Sequence, residues 1–294
     1  MTILNSASDG NLSVLYYMGQ FLHSCGGKPK DELIAEFSHE NGDVPKQTIN
    51  RWLQVGFFKE VEGKLELPDD LRDVEGVVFK DALRTSVRRV VFEERNNPED
   101  KFFENNQSLA SDFTRTIAWG MFQEPLQFSS CFQDLSAYQK LWTSQFPNAS
   151  TLNDVWFTQL RRWAEFLGFF EGGVLDCSLA VKGEIDEIFL NASSFIIEEN
   201  EVSLLPIDKF LSQLSLAIPV IDGGLYNKRV AKAGISLPNW GDEQLSPCLS
   251  LALYRLGIEK VISLEAKADA VSTKILDVGH GETIEVSYVG RPKK

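Results

Sequence analysis

The sequence is poor in the residues that build metal centres and disulfide frameworks. Among 294 residues it has three histidines, none in an HxH or HExxH pattern, and four cysteines without a CxxC spacing. The cysteines are Cys25, Cys131, Cys177 and Cys248. Because structural zinc sites and disulfide-stapled folds need such clusters, we expect free thiols, no metal site and no cofactor.

Long apolar runs are also missing. No stretch approaches the about 20 apolar residues that cross a bilayer, and the amino terminus lacks a basic region followed by an apolar core. In contrast, 43% of the residues are hydrophobic and 20 are Phe, which is enough material for packed cores in more than one domain. We therefore expect a globular, cytoplasmic protein with no membrane partner.

Positive charge is scarce. The formal net charge is −13, and the acidic excess lies in residues 1–75 and 106–199, whereas 76–105 and 200–294 are balanced. Binding of duplex DNA draws on clustered Lys and Arg side chains. The charge therefore argues against a protein that binds nucleic acid over its whole surface, and contact with DNA is expected to be local or carried by a partner.

Catalytic signatures are nearly absent, since the chain has no GxxxxGK(S/T) phosphate loop, no GxSxG nucleophile elbow and no GxGxxG. We expect that it is not an enzyme. One alternative comes from Glu265-Ala266-Lys267, an E-x-K pattern that a strand would place on one face, as in metal-dependent nucleases. Such a site needs another acidic residue on a neighbouring strand, and the nearest, Asp242 and Glu243, begin a predicted helix. A solvent-facing strand is the favoured interpretation.

The chain contains an internal repeat. Arg51-Trp52-Leu53-Gln54-Val55-Gly56-Phe57-Phe58 recurs as Arg162-Trp163-Ala164-Glu165-Phe166-Leu167-Gly168-Phe169-Phe170, with one extra residue before the glycine. Both copies predict an amphipathic helix that buries its tryptophan. A glycine just past a helix supplies the left-handed conformation that closes the last turn. The two copies are therefore expected to end their helices in the same way.

The surroundings of both copies predict winged-helix modules, each with three helices and a hairpin. In the first, helices beginning at Leu12, Lys30 and Pro45 precede a hairpin that turns at Glu62-Gly63. In the second, helices over 108–122, 135–142 and 151–167 precede a wing over 169–179, with Val155 and Trp156 among the residues expected to be buried. The expected fold class is mainly α with small β wings.

We divide the chain into four parts. Residues 1–75 and 106–192 are the two modules, 76–105 form a linker helix, and 200–294 form a carboxy-terminal α/β module. A weaker echo of the repeat, Arg255-Leu256-Gly257-Ile258-Glu259, follows an apolar helix predicted from about Asp242 and precedes alternating runs. The last module is therefore interpreted as a degenerate winged helix.

The polar face of the first module's third helix is the candidate DNA-binding surface. In helix-turn-helix proteins the corresponding helix enters the major groove, where Asn and Gln pair with adenine and Arg with guanine. The predicted contacts are on this helix, on the wing and on the linker helix: Lys46, Gln47, Asn50, Arg51, Gln54, Lys59, Lys64, Arg84, Arg88 and Arg89. A solvated face that contacts protein is the alternative for the helix, and ion pairing with acidic neighbours is the alternative for the three linker arginines.

The second module has a less suitable face. Its third helix carries a mixed set of polar side chains, Thr158, Gln159, Arg161, Arg162 and Glu165. A carboxylate at this position would face phosphates unfavourably. Contact with protein is therefore favoured for this module.

The chain opens with Ile3-Leu4-Asn5, which is followed by the cap Ser8-Asp9-Gly10 and by the winged-helix repeats. In these features the whole chain resembles the DpdG-type accessory proteins of bacterial islands that place 7-deazaguanine derivatives in DNA and restrict unmodified phage DNA. The resemblance implies a non-catalytic role beside helicase, nuclease-like and other proteins of a phage-defence system. It implies no particular functional residues.

Three functions are consistent with these observations. The first is a tandem winged-helix adaptor that joins protein subunits of a defence complex and contacts double-stranded DNA weakly. The second is a sequence-specific transcription regulator that works as a dimer. The third is a metal-dependent nuclease that uses Glu265 and Lys267. The acidity of the chain favours the adaptor over an independent repressor.

Overall fold

The computed structural model describes residues 2–5, 10–74, 78–192, 196–197 and 203–291. Helices dominate, and the strands form small antiparallel sheets, which confirms the expected fold class. The chain divides into two compact units, of which unit 1 comprises Met1–Thr114 and Ala149–Leu167, and unit 2 comprises Arg115–Asn148 and Gly168–Lys294. No helix in the described part of the chain combines the length and apolar character that a membrane crossing needs.

The elements follow one another in this order along the chain. The helices are α1 Leu12–Cys25, α2 Lys30–Asn41, α3 Val44–Val55, α4 Phe79–Val91, α5 Ser111–Gly120, α6 Pro125–Cys131, α7 Leu135–Gln145, α8 Asp154–Phe166, α9 Ser178–Asn191, α10 Ile207–Ala217, α11 Leu225–Ala233 and α12 Pro247–Ile258. The strands are β1 Lys28–Pro29, β2 Lys59–Val61, β3 Lys64–Glu66, β4 Phe170–Glu171, β5 Val174–Leu175, β6 Ile196–Ile197, β7 Ser203–Pro206, β8 Ser263–Glu265, β9 Lys274–Gly279, β10 Glu282–Val286 and β11 Tyr288–Arg291.

Unit 1 begins with three helices and a three-stranded antiparallel sheet in the order β1-β3-β2. Asn11 caps α1, because its side chain accepts a hydrogen bond from the backbone N–H of Val14. Helix α3 has Pro45 in its first turn and ends at Gly56, whose φ of 91° is left-handed. Trp52, on the buried face of α3, is fully enclosed. Helices α4 and α8 complete the core of this unit.

In the part that the structure describes, unit 2 has an aromatic core and three small sheets. Trp119 lies at the centre of that core, with its ring edge-on to those of Phe128, Tyr138 and Trp142. The sheets are the hairpin β4–β5, the hairpin β9–β10, and a four-stranded antiparallel sheet in the order β6-β7-β11-β8. Helix α12 packs against α9 and β9.

Several expected boundaries change in the structure. Helices α6, α9, α10 and α11 were not predicted, and the second wing ends at Leu175 because α9 begins at Ser178. Helix α12 starts at Pro247 and not near Asp242, and Gly257 lies inside it, so the third echo does not stop a helix. Val155 was expected to be buried and is 47% exposed.

Other expectations stay predictions. The division into units passes through residues 106–192, since α8 belongs to unit 1 and the β4–β5 hairpin to unit 2. The winged-helix interpretation and the four-part domain division are therefore carried forward as predictions. Ser8 and Asp9 of the expected cap lie outside the described residues, as does most of the connection between 193 and 200.

Candidate nucleic-acid interface

The face of α3 that was expected to read DNA is only partly accessible. Lys46, Gln47 and Gln54 are exposed. Asn50 is partly buried, and its side-chain oxygen accepts a hydrogen bond of 2.7 Å from the ammonium group of Lys30. Recognition of adenine by an amide uses both its oxygen and its nitrogen. The acceptor of Asn50 is therefore already engaged within unit 1.

Arg51 is packed into the protein. The residue is 6% exposed, and its Nη1 donates to the side-chain oxygen of Gln54 at 3.1 Å. A bidentate contact with guanine requires a guanidinium that reaches the floor of the major groove. The accessible edge of α3 is thus reduced to Lys46, Gln47 and Gln54.

The β2–β3 hairpin, which is the predicted wing of the first module, supplies two exposed lysines. Lys59 on β2 forms a salt bridge of 3.2 Å with Asp69, and both side chains are at least half exposed, so the pair contributes little to stability. Lys64 on β3 is exposed next to the turn and pairs in register with Pro29 of β1. These two lysines are available to a polyanion that approaches the wing.

Acidic side chains lie in the helix that precedes α3. Asp31, Glu32 and Glu36 of α2 are exposed, and exposed Asp43 is the residue just before α3. In helix-turn-helix complexes the helix before the recognition helix crosses the DNA backbone. Carboxylates in that position repel phosphates, which weakens any docking of α3 in the usual orientation.

The linker arginines bind the end of a helix. Arg84 Nε donates to the carbonyl oxygen of Phe166 at 2.6 Å, and Arg88 Nη1 donates to that of Leu167 at 3.2 Å. These carbonyls belong to the carboxyl end of α8, where cations are favoured by the helix dipole and by unpaired acceptors. Arg84 also forms a salt bridge of 2.6 Å with Asp81. Arg88 is fully buried, and Arg89 is partly buried.

A matching arrangement ends α3. The side-chain nitrogen of Asn96 donates to the carbonyl oxygens of Val55 at 3.0 Å and Val90 at 2.7 Å. Asn96 is fully buried. The segment from α4 to Asn96 therefore satisfies the last carbonyls of both repeated helices, α3 and α8. For Arg84 and Arg88 this is a structural role that the spacing of the arginines did not reveal.

The corresponding face of α8 is also mixed. Thr158, Arg161, Arg162 and Glu165 are exposed as expected, whereas Gln159 is 8% exposed and belongs to the buried side. Contact between this face and another protein stays a prediction.

The candidate nuclease pair is not on one strand. Glu265 is the last residue of β8, and Lys267 lies beyond it. Their charged atoms are 4.0 Å apart, and the Lys267 ammonium group is 5.3 Å from the ring centre of Tyr288. Within the described ranges, no group of three His, Cys, Asp or Glu side chains could hold a metal ion.

Two clusters in unit 2 were missed by the sequence interpretation. The sulfur atoms of Cys177 and Cys248 are 3.7 Å apart and fully buried. Arg255 bonds Glu171, Asp176 at 2.6 Å and Glu259 at 2.9 Å, and these carboxylates raise its pKa. Only the Arg255–Glu259 pair, with its i, i+4 spacing on a helix, had a local sequence signal.

The structure thus defines a mainly helical protein in which two repeated helices, α3 and α8, share one compact unit. A family model described as DpdG-like matches residues 1–270, and the chain belongs to this family. Membership associates it with Dpd-type systems. Neither the curated proteins nor the solved structures that were compared gave a match.

Proposed function

We propose that the chain is a non-catalytic adaptor subunit of a bacterial DNA-targeting phage-defence assembly and that it works mainly by binding other proteins. Weak contact with duplex DNA through the exposed edge of α3 and the wing is part of the proposal. Its expected location is the cytoplasm, where such an assembly meets phage DNA.

The observation that carries this proposal is that the candidate DNA-binding arginines make contacts within the protein. Arg51 is buried, and the guanidinium groups of Arg84 and Arg88 donate to the carboxyl end of α8. High-affinity DNA binding needs many phosphate contacts from Lys and Arg. Arginines that stabilise packing are not available for that purpose, so a protein-binding role is favoured.

The adaptor role can be tested by purifying the tagged full-length chain from its native host with and without nuclease treatment. We expect proteins encoded beside it to co-purify in a fixed ratio that survives removal of DNA. Lys46→Glu and Arg162→Glu, on the exposed faces of α3 and α8, identify which helix contributes to the contact. A chain that emerges alone, or whose partners vanish with the DNA, would contradict the adaptor role.

The alternatives make different predictions. A transcription regulator would bind one defined sequence at nanomolar concentration, although Asn50 and Arg51 already have partners in unit 1. A nuclease would cleave DNA when Mg²⁺ or Mn²⁺ is added, and Glu265→Gln would abolish that cleavage. Co-purification, sequence-specific binding and metal-dependent cleavage thus separate the three functions.

A further inference from the structure

Unit 2 contains a pocket of about 470 Å³ that no part of the proposed function uses. It is formed by residues 121–122 after α5, by α10, by residues 222–228 at the beginning of α11, by the loop over 238–246 and by the beginning of β9. Its volume lies in the range of about 300–1,000 Å³ that is typical of ligand sites. The polar residues that matter for its chemistry are Asp208, Asp222, Asn227, Lys228, Trp240 and Lys274.

Asp222 is a carboxylate with neutral partners. Its two oxygens accept hydrogen bonds from the backbone N–H of Ser246 at 2.7 Å and from the hydroxyl of Ser246 at 2.6 Å. In the described part of the chain no lysine or arginine lies within ion-pair distance of it. Burial raises the pKa of Asp222, which reflects the cost of holding this charge away from water. A cation in the pocket would remove that cost.

The lysines of the pocket do not supply this cation. The Lys274 ammonium group is 3.5 Å from the Asp208 carboxylate and donates to the carbonyl oxygen of Asp242 at 2.8 Å. Lys228 is exposed and forms no salt bridge with Asp222 among the residues described. The pocket therefore retains one carboxylate without a counter-charge.

Trp240 places a second requirement on any ligand of this pocket. Its indole N–H is buried and has no hydrogen-bond acceptor in the described residues. A buried donor without an acceptor is costly, and an indole ring is also the best aromatic partner for a cation. A ligand that carries both a cationic group and a carbonyl oxygen would match Asp222 and Trp240 together.

We infer that this pocket binds a lysine or arginine side chain of a partner protein, with the cation at Asp222 and a backbone carbonyl of the same segment at Trp240. The inference rests on the proposed adaptor function, since it names the chemistry by which a partner would be held. A free polyamine shares the cationic group but has no carbonyl oxygen. Peptide recognition is therefore favoured over amine binding.

The test uses the full-length chain and blocked single amino acids as probes, measured by calorimetry. We expect N-acetyl-arginine or N-acetyl-lysine methylamide to bind at millimolar concentrations. The neutral N-acetyl-norleucine methylamide, which keeps the aliphatic carbons of lysine without the ammonium group, should not bind. Asp222→Asn should weaken binding by about tenfold or more, a loss of about 1.4 kcal/mol. The matched control Asp269→Asn, exposed and not part of the pocket lining, should leave binding unchanged.

Trp240→Phe distinguishes the two sources of the cation. This variant keeps an aromatic ring but removes the N–H, so it should weaken the binding of the blocked amino acids by a larger factor than the binding of agmatine, which loses only part of the contact between its cation and the ring. Agmatine binding as tightly as blocked arginine would overturn the assignment to a protein side chain. Equal binding of the norleucine probe, or no binding of any probe to the wild-type chain, would overturn the pocket assignment altogether. Co-purification with partners in that case would leave the adaptor role intact.

Discussion

The indole rings of Trp52 and Trp163 contact each other in the core of unit 1, with their centres 5.1 Å apart and their planes at 52°. These are the tryptophans at equivalent positions of the repeat, and both are almost fully buried. Helices α3 and α8 therefore pack through the residues that the repeat conserves within the chain. Because the two rings are in contact, removal of either tryptophan also takes away a packing partner of the other tryptophan.

Replacing either tryptophan should be strongly destabilising. We expect Trp52→Ala and Trp163→Ala each to lower the free energy of unfolding by about 3–5 kcal/mol, because burial is lost and a cavity remains. The double variant should cost less than the sum, since the two cavities merge. Urea denaturation measures all three values. Trp156→Ala, a partly buried neighbour on α8, is the control and should cost less.

The repeat made the buried tryptophans and the ends of α3 and α8 predictable from the sequence. The structural role of the arginines was not predictable in this way. The helix stops at Gly56 and Gly168 follow from local chemistry, and both glycines have left-handed φ values of 91° and 85°. The role of Arg88 depends on Leu167, which is 79 residues away. No local pattern encodes such a distant partner. The same holds for the lining of the pocket, which comes from five separate stretches of unit 2.

Arg88 should matter for stability. In Arg88→Met the buried carbonyl of Leu167 loses its donor, and we expect a loss of about 1–3 kcal/mol in the free energy of unfolding. Lys46→Met, on the exposed edge of α3, is the matched control and should change it by less than about 0.5 kcal/mol. Equal effects of the two substitutions would show that Arg88 does not hold the end of α8.

The stability contribution of Asp222 should depend on pH. Its pKa is raised in the folded protein, so its contribution is fully present below the unfolded value of about 3.9 and is lost as the pH rises through the folded value. Asn can accept the Ser246 N–H without a charge. Asp222→Asn is therefore expected to be more stable than the wild type at pH 7, and the difference should shrink as the pH falls towards 4. Urea unfolding across this range measures the trend; a wild type that is the more stable protein at pH 7 would refute it.

Three of the four cysteines should separate into reactive and protected groups. Cys25 is exposed, whereas Cys177 and Cys248 are buried, and the hydrogen bond between them together with burial raises the pKa of Cys177. The thiolate is the reactive form, and burial disfavours it at Cys177. Because the sulfur atoms of both residues are also shielded from solvent, these two thiols should react with a maleimide only after urea is added. Mass spectrometry of the native protein should show modification of Cys25 first. Cys25→Ser should remove this early modification of the native protein. Rapid labelling of Cys248 in the native protein would argue against the packing of α9 on α12.

The last prediction concerns DNA and follows from the charges that remain accessible. The exposed cations of the candidate interface are Lys46, Lys59 and Lys64, and Lys59 is paired with Asp69. We therefore expect the isolated chain to bind duplex DNA with a dissociation constant of about 10⁻⁴–10⁻⁶ M at physiological salt, as non-specific contacts do.

The salt dependence gives the sharper test. Each phosphate that is neutralised contributes about −0.9 to the slope of log affinity against log salt, so two to three contacts predict a slope between about −2 and −3. Lys46→Ala with Lys64→Ala should flatten the slope by nearly two of these contacts without changing stability. Lys182→Ala with Lys260→Ala, exposed lysines of unit 2, is the matched control and should leave it unchanged. Nanomolar binding to one sequence at raised salt would favour the transcription regulator. Attraction between lysines and phosphates is strongest at low salt. If the chain does not bind DNA even there, the exposed edge of α3 has no role in DNA binding.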